Sequence, residues 1–249
     1  MHINPKLIKN QFEKSIKTYN ENAIVQKIMA EKLVAEVSKI NNHYENILEL
    51  GCGAGLLTNE LIKKITFQNY YANDIIENAK SYISKIIPNA TFYCGNAKKI
   101  KPSRKMDLII SNAMFQWFEN LENISLHYKN LLNNNGILAF STFSKDNFKE
   151  IKDLTGLSLD YKTLEDIKNI LNDAERTEIL HIEGFTKVLK FSNPLELLAH
   201  MKTTGVNSLT AQHWTFKEIK TFCDNYKTKY PEINLTYSPI IVICKKFSN

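Results

Sequence analysis

Apolar positions change their spacing several times along this chain. Over residues 5–40 they recur at helical intervals, with Phe12, Ile16 and Tyr19 followed by Ile24, Ile28 and Leu33, which predicts helix. The run 46–50 is short and apolar and stops abruptly at Gly51-Cys52-Gly53-Ala54-Gly55, which predicts a buried strand feeding a glycine loop. Residues 56–65 return to a helical period. Strand-like runs then recur at 70–74, 91–94, 107–111 and 137–143, separated by helical stretches at 75–87 and 124–132, with Pro88 and Asn135-Gly136 as stops. Strands alternating with helices of this length imply crossover units and a parallel sheet covered on both faces. The rhythm then alters: 146–174 reads as mostly helical, 179–191 as strand around Gly184, 194–204 and 214–227 as helix, and 235–244 as a closing strand. No repeat or low-complexity linker divides the 249 residues. The expected organisation is one α/β domain over 1–249, with a helical cap at 1–45 and a helical insertion at about 146–205.

Composition agrees with a folded α/β protein, since 43% of residues are hydrophobic and 23% charged. No apolar run reaches the roughly 18 residues of a membrane span, and the lysine-rich start lacks the apolar core of a secretory signal. Cys52, Cys94, Cys223 and Cys244 are far apart and form no metal-ligand spacing, so a reduced, cytoplasmic protein without metal is expected. Net charge is +6, carried almost wholly by lysine, with Arg104 and Arg176 the only arginines. No segment has the basic density of a nucleic-acid-binding domain. Lys98, Lys99, Lys101, Arg104 and Lys105 do cluster within eight positions, a patch suited to an acidic partner.

The chemistry concentrates at the glycine loop. Glycines let a backbone turn tightly and approach a ligand, and the helix behind offers free N–H groups. The spacing is GxGxG, without the later glycine of dinucleotide sites. Asp74 closes the second strand, where an acid can accept both hydroxyls of a ribose. Glu49, two residues before Gly51, would repel a pyrophosphate but suits a cation. A ribose, a positive charge and no phosphate together describe S-adenosylmethionine.

The motif Glu49-Leu50-Gly51-Cys52-Gly53-Ala54-Gly55 resembles the first motif of class I S-adenosylmethionine-dependent methyltransferases. The resemblance implies a Rossmann-like seven-stranded sheet, mostly parallel with an antiparallel last strand at 235–244, and a helical insertion or lid. Asp74 and the adjoining Ile75 fall at the ribose position, and Gly95-Asn96-Ala97 at the adenine-contacting one, with an amide where many relatives carry an acid. Glu49, Gly51, Cys52, Gly53, Gly55, Asp74, Ile75, Asn96, Ala97 and Asn112 are thereby expected to hold the cofactor, together with Tyr19 and Gln26 from the first helix.

After the fourth strand comes Ser111-Asn112-Ala113-Met114-Phe115-Gln116-Trp117, which lacks the Pro-Pro-aromatic loop of adenine and glutamine N-methylating enzymes. It is similar to two small-acid branches, the trans-aconitate methyltransferases and the malonyl-[acyl-carrier protein] O-methyltransferases of biotin synthesis. Phe12, Tyr19 and Gln26, the segment 198–206 and the Tyr230-Pro231 approach to the last strand resemble the second branch. The resemblance implies methylation of a malonyl thioester carboxylate on acyl carrier protein, with S-adenosylhomocysteine as product, no nucleic-acid or membrane partner, and a monomer. The alternative is a free acid such as trans-aconitate.

A carboxylic acid is already ionised at neutral pH, so no general base is required. The protein must instead align the reactants and exclude water. Tyr19, Gln116 and Trp117 are the expected positioning residues, with Lys202 beside His200 as the expected cation for the carboxylate. Either the 98–105 cluster or the lysines near 217–229 would meet an acidic carrier.

Overall fold

The computed structural model describes residues 5–173, 177–205 and 214–247. Helices α1 (Pro5–Ser15), α2 (Tyr19–Asn22) and α3 (Ile24–Ile40) precede β1 (His43–Leu50), α4 (Leu56–Leu61), β2 (Thr66–Asp74), α5 (Ala79–Ile86) and β3 (Thr91–Cys94). Then come β4 (Met106–Ser111), α6 (Leu121–Leu131), β5 (Leu132–Phe143), α7 (Lys149–Thr155), α8 (Leu164–Asp173) and β6 (Thr177–Gly184). The remainder is β7 (Lys187–Lys190), α9 (Pro194–Thr203), α10 (Phe216–Lys229), β8 (Asn234–Tyr237) and β9 (Pro239–Lys246).

Seven strands form one sheet in the order β3-β2-β1-β4-β5-β9-β6. β1 to β5 pair in parallel, and β9 runs antiparallel to both β5 and β6. Alternation along the strands divides the apolar side chains between two layers. In β9, Ile241 and Ile243 join the core under α3 and α4, whereas Ile240, Val242 and Cys244 join the core under α6 and α8. Ile47, Leu108 and Ile110 face the first layer, and Leu48, Leu50 and Ile109 the second. The order reverses between β1 and β4, the place where open α/β sheets collect ligands at their carboxyl ends.

Three differences from the sequence reading have local causes. The helix expected over 5–40 is broken twice, first after Ser15, whose hydroxyl turns onto the Gln11 and Phe12 carbonyls, and again at Ala23, whose ψ of 52° leaves the helical region. The strand expected over 179–191 is two strands, β6 in the sheet and β7 outside it, so the 146–205 insertion is not helical throughout. The strand expected over 235–244 is two strands meeting at Ser238: β8 pairs with β7 in a separate ribbon, and only β9 enters the sheet.

A buried acid fastens that ribbon. Glu150 of α7 is 3% exposed and accepts from both the backbone N–H and the hydroxyl of Thr236 in β8. Glu150→Ala strands two buried donors, so its unfolding free energy should fall by about 2 kcal/mol in urea titrations. An unchanged value would show the staple to be idle.

Candidate active site

The glycine loop begins where β1 ends. Gly51 and Gly55 adopt φ of +68° and +76°, a region that side chains resist. A Cβ on Gly51 would lie 2.8 Å from the Met114 sulfur, and one on Gly55 would lie 2.4 Å from Ile86. A Cβ on Gly53 or Gly95, by contrast, meets nothing within 4 Å, so open space lies over both. The loop is stitched to β2 by Cys52 N–H donating to the Asn73 carbonyl at 3.0 Å. Asn73 in turn donates to the Tyr93 and Gly95 carbonyls, fixing the tip of β3.

Around this loop opens a cavity of about 360 Å³. It is lined by Gly51, Cys52 and Gly53, by Asp74 and Ile75, by Asn96 and Ala97, by Asn112, and by Tyr19 from the cap. Those nine expected cofactor residues are thus brought together. Glu49 and Gly55 stand behind the loop instead, and Gln26 lines a smaller cavity deeper in. Asn20 anchors the cap by donating to the Ala54 carbonyl at 2.9 Å.

The one buried acid that lines the large cavity is Asp74. Asp74 Oδ2 accepts from Gly53 N–H and Oδ1 from Ile76 N–H, each at 2.8 Å, leaving lone pairs for ribose hydroxyls. Burial pushes the Asp74 carboxyl up, opposed by those N–H groups. Glu49 is fully buried and accepts at Oε2 from Thr58 at 2.6 Å and from the Tyr70 hydroxyl, while Oε1 has no partner. Burial pushes Glu49 up to about 7, and the charge of Asp74 adds to the rise. A cation arriving above the loop relieves this. Among the described residues no group of three or more His, Cys, Asp or Glu side chains is arranged to hold a metal.

At the tip of β4, Ala113 is held at φ +51°, an uncommon angle for a residue with a side chain. Its N–H donates to Ser141 Oγ, and Ser141 Oγ donates to Asn112 Oδ1 at 2.6 Å. Asn112 Nδ2 reaches the Gln26 carbonyl at 2.9 Å. One network therefore ties β4, β5 and α3 at the wall of the site.

The smaller inner cavity, of about 20 Å³, shares Phe12, Tyr19, Ala113 and Trp117 with the large one. Its other walls include Gln26, Gln116, Asn147, Tyr161 and Thr204. Phe12 meets Trp117 edge-on at 6.0 Å and rests against Gly205, where a Cβ would stand 2.7 Å from the ring. Gln116 donates to the Ala113 carbonyl, so its own Oε1 faces away and lacks a partner, as does Gln26 Oε1.

The structure does not bring His200 or Lys202 to either cavity. His200 Nε2 lies 2.7 Å from the Tyr237 hydroxyl, and burial lowers its pKa. Lys202 is exposed on α9 because the buried face of that helix is taken by Leu197 and Met201. Val206, the end of the 198–206 segment, lies outside the described residues. Ser141, Asn73, Asn147 and Tyr161 were missed, since their roles arise from long-range contacts that leave no local pattern.

A family model described as a methyltransferase domain matches residues 20–205. The chain is 33% identical to a malonyl-[acyl-carrier protein] O-methyltransferase of Haemophilus influenzae, over 96% of this chain and 93% of that one. It is 35% identical to the enzyme of the same name from Calditerrivibrio nitroreducens, over 96% of each. Among solved structures, the N-methyltransferase NodS of Bradyrhizobium japonicum, in complex with S-adenosyl-L-homocysteine, superposes with a TM-score of 0.59 at 10% identity, covering 96% of this chain and 98% of that one. At that identity the likeness is one of fold.

Glu49 offers a direct test of the site's electrostatics. Its folded pKa of about 7 exceeds the ordinary 4.5, so the folded chain keeps a proton that the unfolded chain has lost. Its contribution to stability is full below about 4.5 and is lost as pH rises to about 7. Relative to Glu49→Gln, the urea midpoint of the parent should fall across that window. Parallel pH profiles would show Glu49 to be ionised throughout.

Proposed function

The chain belongs to the malonyl-[acyl-carrier protein] O-methyltransferase family of S-adenosylmethionine-dependent enzymes, and on that premise we propose that it methylates the free carboxylate of a malonyl thioester on acyl carrier protein. The observation that carries this reading is the pair of joined cavities. The larger one carries Asp74 and an open glycine loop for the adenosyl group, and the smaller one continues from it between Phe12, Trp117 and Tyr161, where the acceptor end would enter. When bound, S-adenosylmethionine supplies a methyl made electrophilic by its sulfonium; a carboxylate oxygen takes that methyl while the carbon–sulfur pair returns to sulfur.

The chain's own residues do the rest. Asp74 receives the ribose, and Asn96 and Ala97 border the adenine. Asn112, fixed by Ser141 and the Gln26 carbonyl, sets the wall where the two cavities join. Phe12 and Trp117 close the chamber against water, which would otherwise solvate the nucleophile. Tyr19 stands at the junction, and burial reinforced by the charge of Asp74 raises its pKa, so the hydroxyl keeps its proton as a donor. No residue is needed to remove a proton from the acceptor. Methylation replaces a charge by a neutral ester, allowing the acyl chain to enter apolar tunnels in which a carboxylate would be costly. That chemistry suits the priming of pimelate for biotin.

On this reading 1–249 is one catalytic domain working as a monomer in the cytoplasm. The contact of Phe12 with Gly205, which joins the 1–45 cap to the 146–205 wall, supports a single unit. Among the described residues no helix is long and apolar enough to cross a membrane. Lys98 lines the mouth of the large cavity, and Lys99 and Lys101 are exposed beside it. That position favours this cluster over the α10 lysines, among which Lys229 is ion-paired with Asp153 at 2.6 Å.

Labelled methyl should pass from S-adenosylmethionine to malonyl-acyl carrier protein and not to trans-aconitate; transfer to the free acid alone would replace this reading by its alternative. Charge reversal at Lys99 and Lys101 should raise KM for the carrier-bound substrate about tenfold and leave malonyl-pantetheine turnover untouched. Equal effects on both substrates would move docking elsewhere.

A further inference from the structure

The inner cavity must receive an anion, yet no acidic or basic side chain is among the described residues that line it. The segment 206–213, outside the described residues, contains neither lysine nor arginine, and its one ionisable side chain is His213. Lys162 lines an adjoining pocket that shares Gln116, Phe143 and Tyr161, and it is already paired with Asp160 at 2.9 Å.

What the chamber does hold is uncommitted hydroxyl. Tyr161 accepts from Asn147 Nδ2 at 3.1 Å, so its own proton is available. Asn147 is itself held by Ser238 N–H, which donates to its Oδ1 at 3.2 Å, so the join between β8 and β9 sets the position of Tyr161. Burial raises the Tyr161 pKa and keeps it a donor. Tyr19, lining both cavities, is the second such hydroxyl. Beside them the partnerless Gln26 Oε1 and Gln116 Oε1 are acceptors, which oppose any further negative charge.

We propose that the acceptor carboxylate is received by the uncharged hydroxyls of Tyr161 and Tyr19, and that its counter-charge is the sulfonium of the cofactor, not a side chain of the enzyme. This rests on the methyl-transfer reading above and explains how that site selects its anion. A lysine paired with the carboxylate would compete with the electrophile for the oxygen lone pairs. Neutral donors orient the group and leave its charge facing the methyl. Transfer cancels both charges, so the ester and the thioether lose their mutual attraction as soon as they form. The partnerless amide oxygens of Gln26 and Gln116 add selectivity: they repel a second carboxylate, and a malonyl thioester brings only one.

Calorimetry on the intact protein tests this without turnover. Malonyl-pantetheine is titrated into protein saturated with S-adenosylhomocysteine, which is neutral at sulfur, or with sinefungin, which carries an amine cation near the methyl position. Binding should be about tenfold tighter on the sinefungin complex, while acetyl-pantetheine shows no difference. Tyr161→Phe should weaken malonyl-pantetheine on both complexes and raise KM without altering sinefungin affinity. Lys162→Ala and Lys202→Ala should change neither. Equal malonyl affinity on the two complexes, or a loss confined to a lysine variant, overturns the proposal even if methyl transfer to malonyl-carrier protein is observed. If neither nucleoside binds and no methyl moves, the functional reading itself fails.

Discussion

Two buried carboxylates, Glu49 and Asp74, set the terms for everything at the carboxyl edge of the sheet. Each would be cheaper in water, and the fold keeps both under cover with neutral donors in place of lysine or arginine. Thr58 and Tyr70 satisfy one oxygen of Glu49, and the loop N–H groups satisfy Asp74. What is left over is a negative potential beneath a glycine loop whose backbone has been cleared of side chains. Such a place is completed by a ligand that brings a positive charge, so the stability of this edge and its affinity for a sulfonium share one electrostatic origin. The left-handed glycines, the Asn73 stitch and the Asn112–Ser141 network all serve to hold that arrangement open.

Much of this was legible in the sequence, because it is written in short-range signals. A strand that ends in three glycines, with an acid before it and another at the next strand tip, needs no tertiary information to be recognised. The alternation of strands and helices likewise gave the sheet. Nine of the residues expected at the cofactor do line the large cavity. The split of 5–40 into three helices was not visible, because hydrophobic spacing survives the turn at Ser15 and Thr18. The break at Ser238 was hidden for the same reason, apolar residues continuing on both sides of it.

The acceptor side was less legible for a different physical reason. His200 and Lys202 were expected there because a carboxylate asks for a cation, and the chain has few to offer. The helix that carries them presents Leu197 and Met201 to the core, and this turns Lys202 outward. The residues that do wall the chamber come from five separated stretches. Tyr161 and Asn147 are 14 positions apart, and their pairing depends on Ser238, 91 positions beyond Asn147. No window of the sequence contains that relation.

The antiparallel β9 has an implication for how the molecule comes into being. It lies between β5 and β6, so β6 has no neighbour in the sheet until some fifty later residues have been synthesised. A nascent chain can assemble β1 to β5 early, but β6 must wait as an unpaired edge for β9 to slide in beside it. Ser238, at the entrance to β9, is the residue that steadies Asn147. The residue that fixes Asn147, and through it Tyr161, thus comes from among the last parts of the chain to be made.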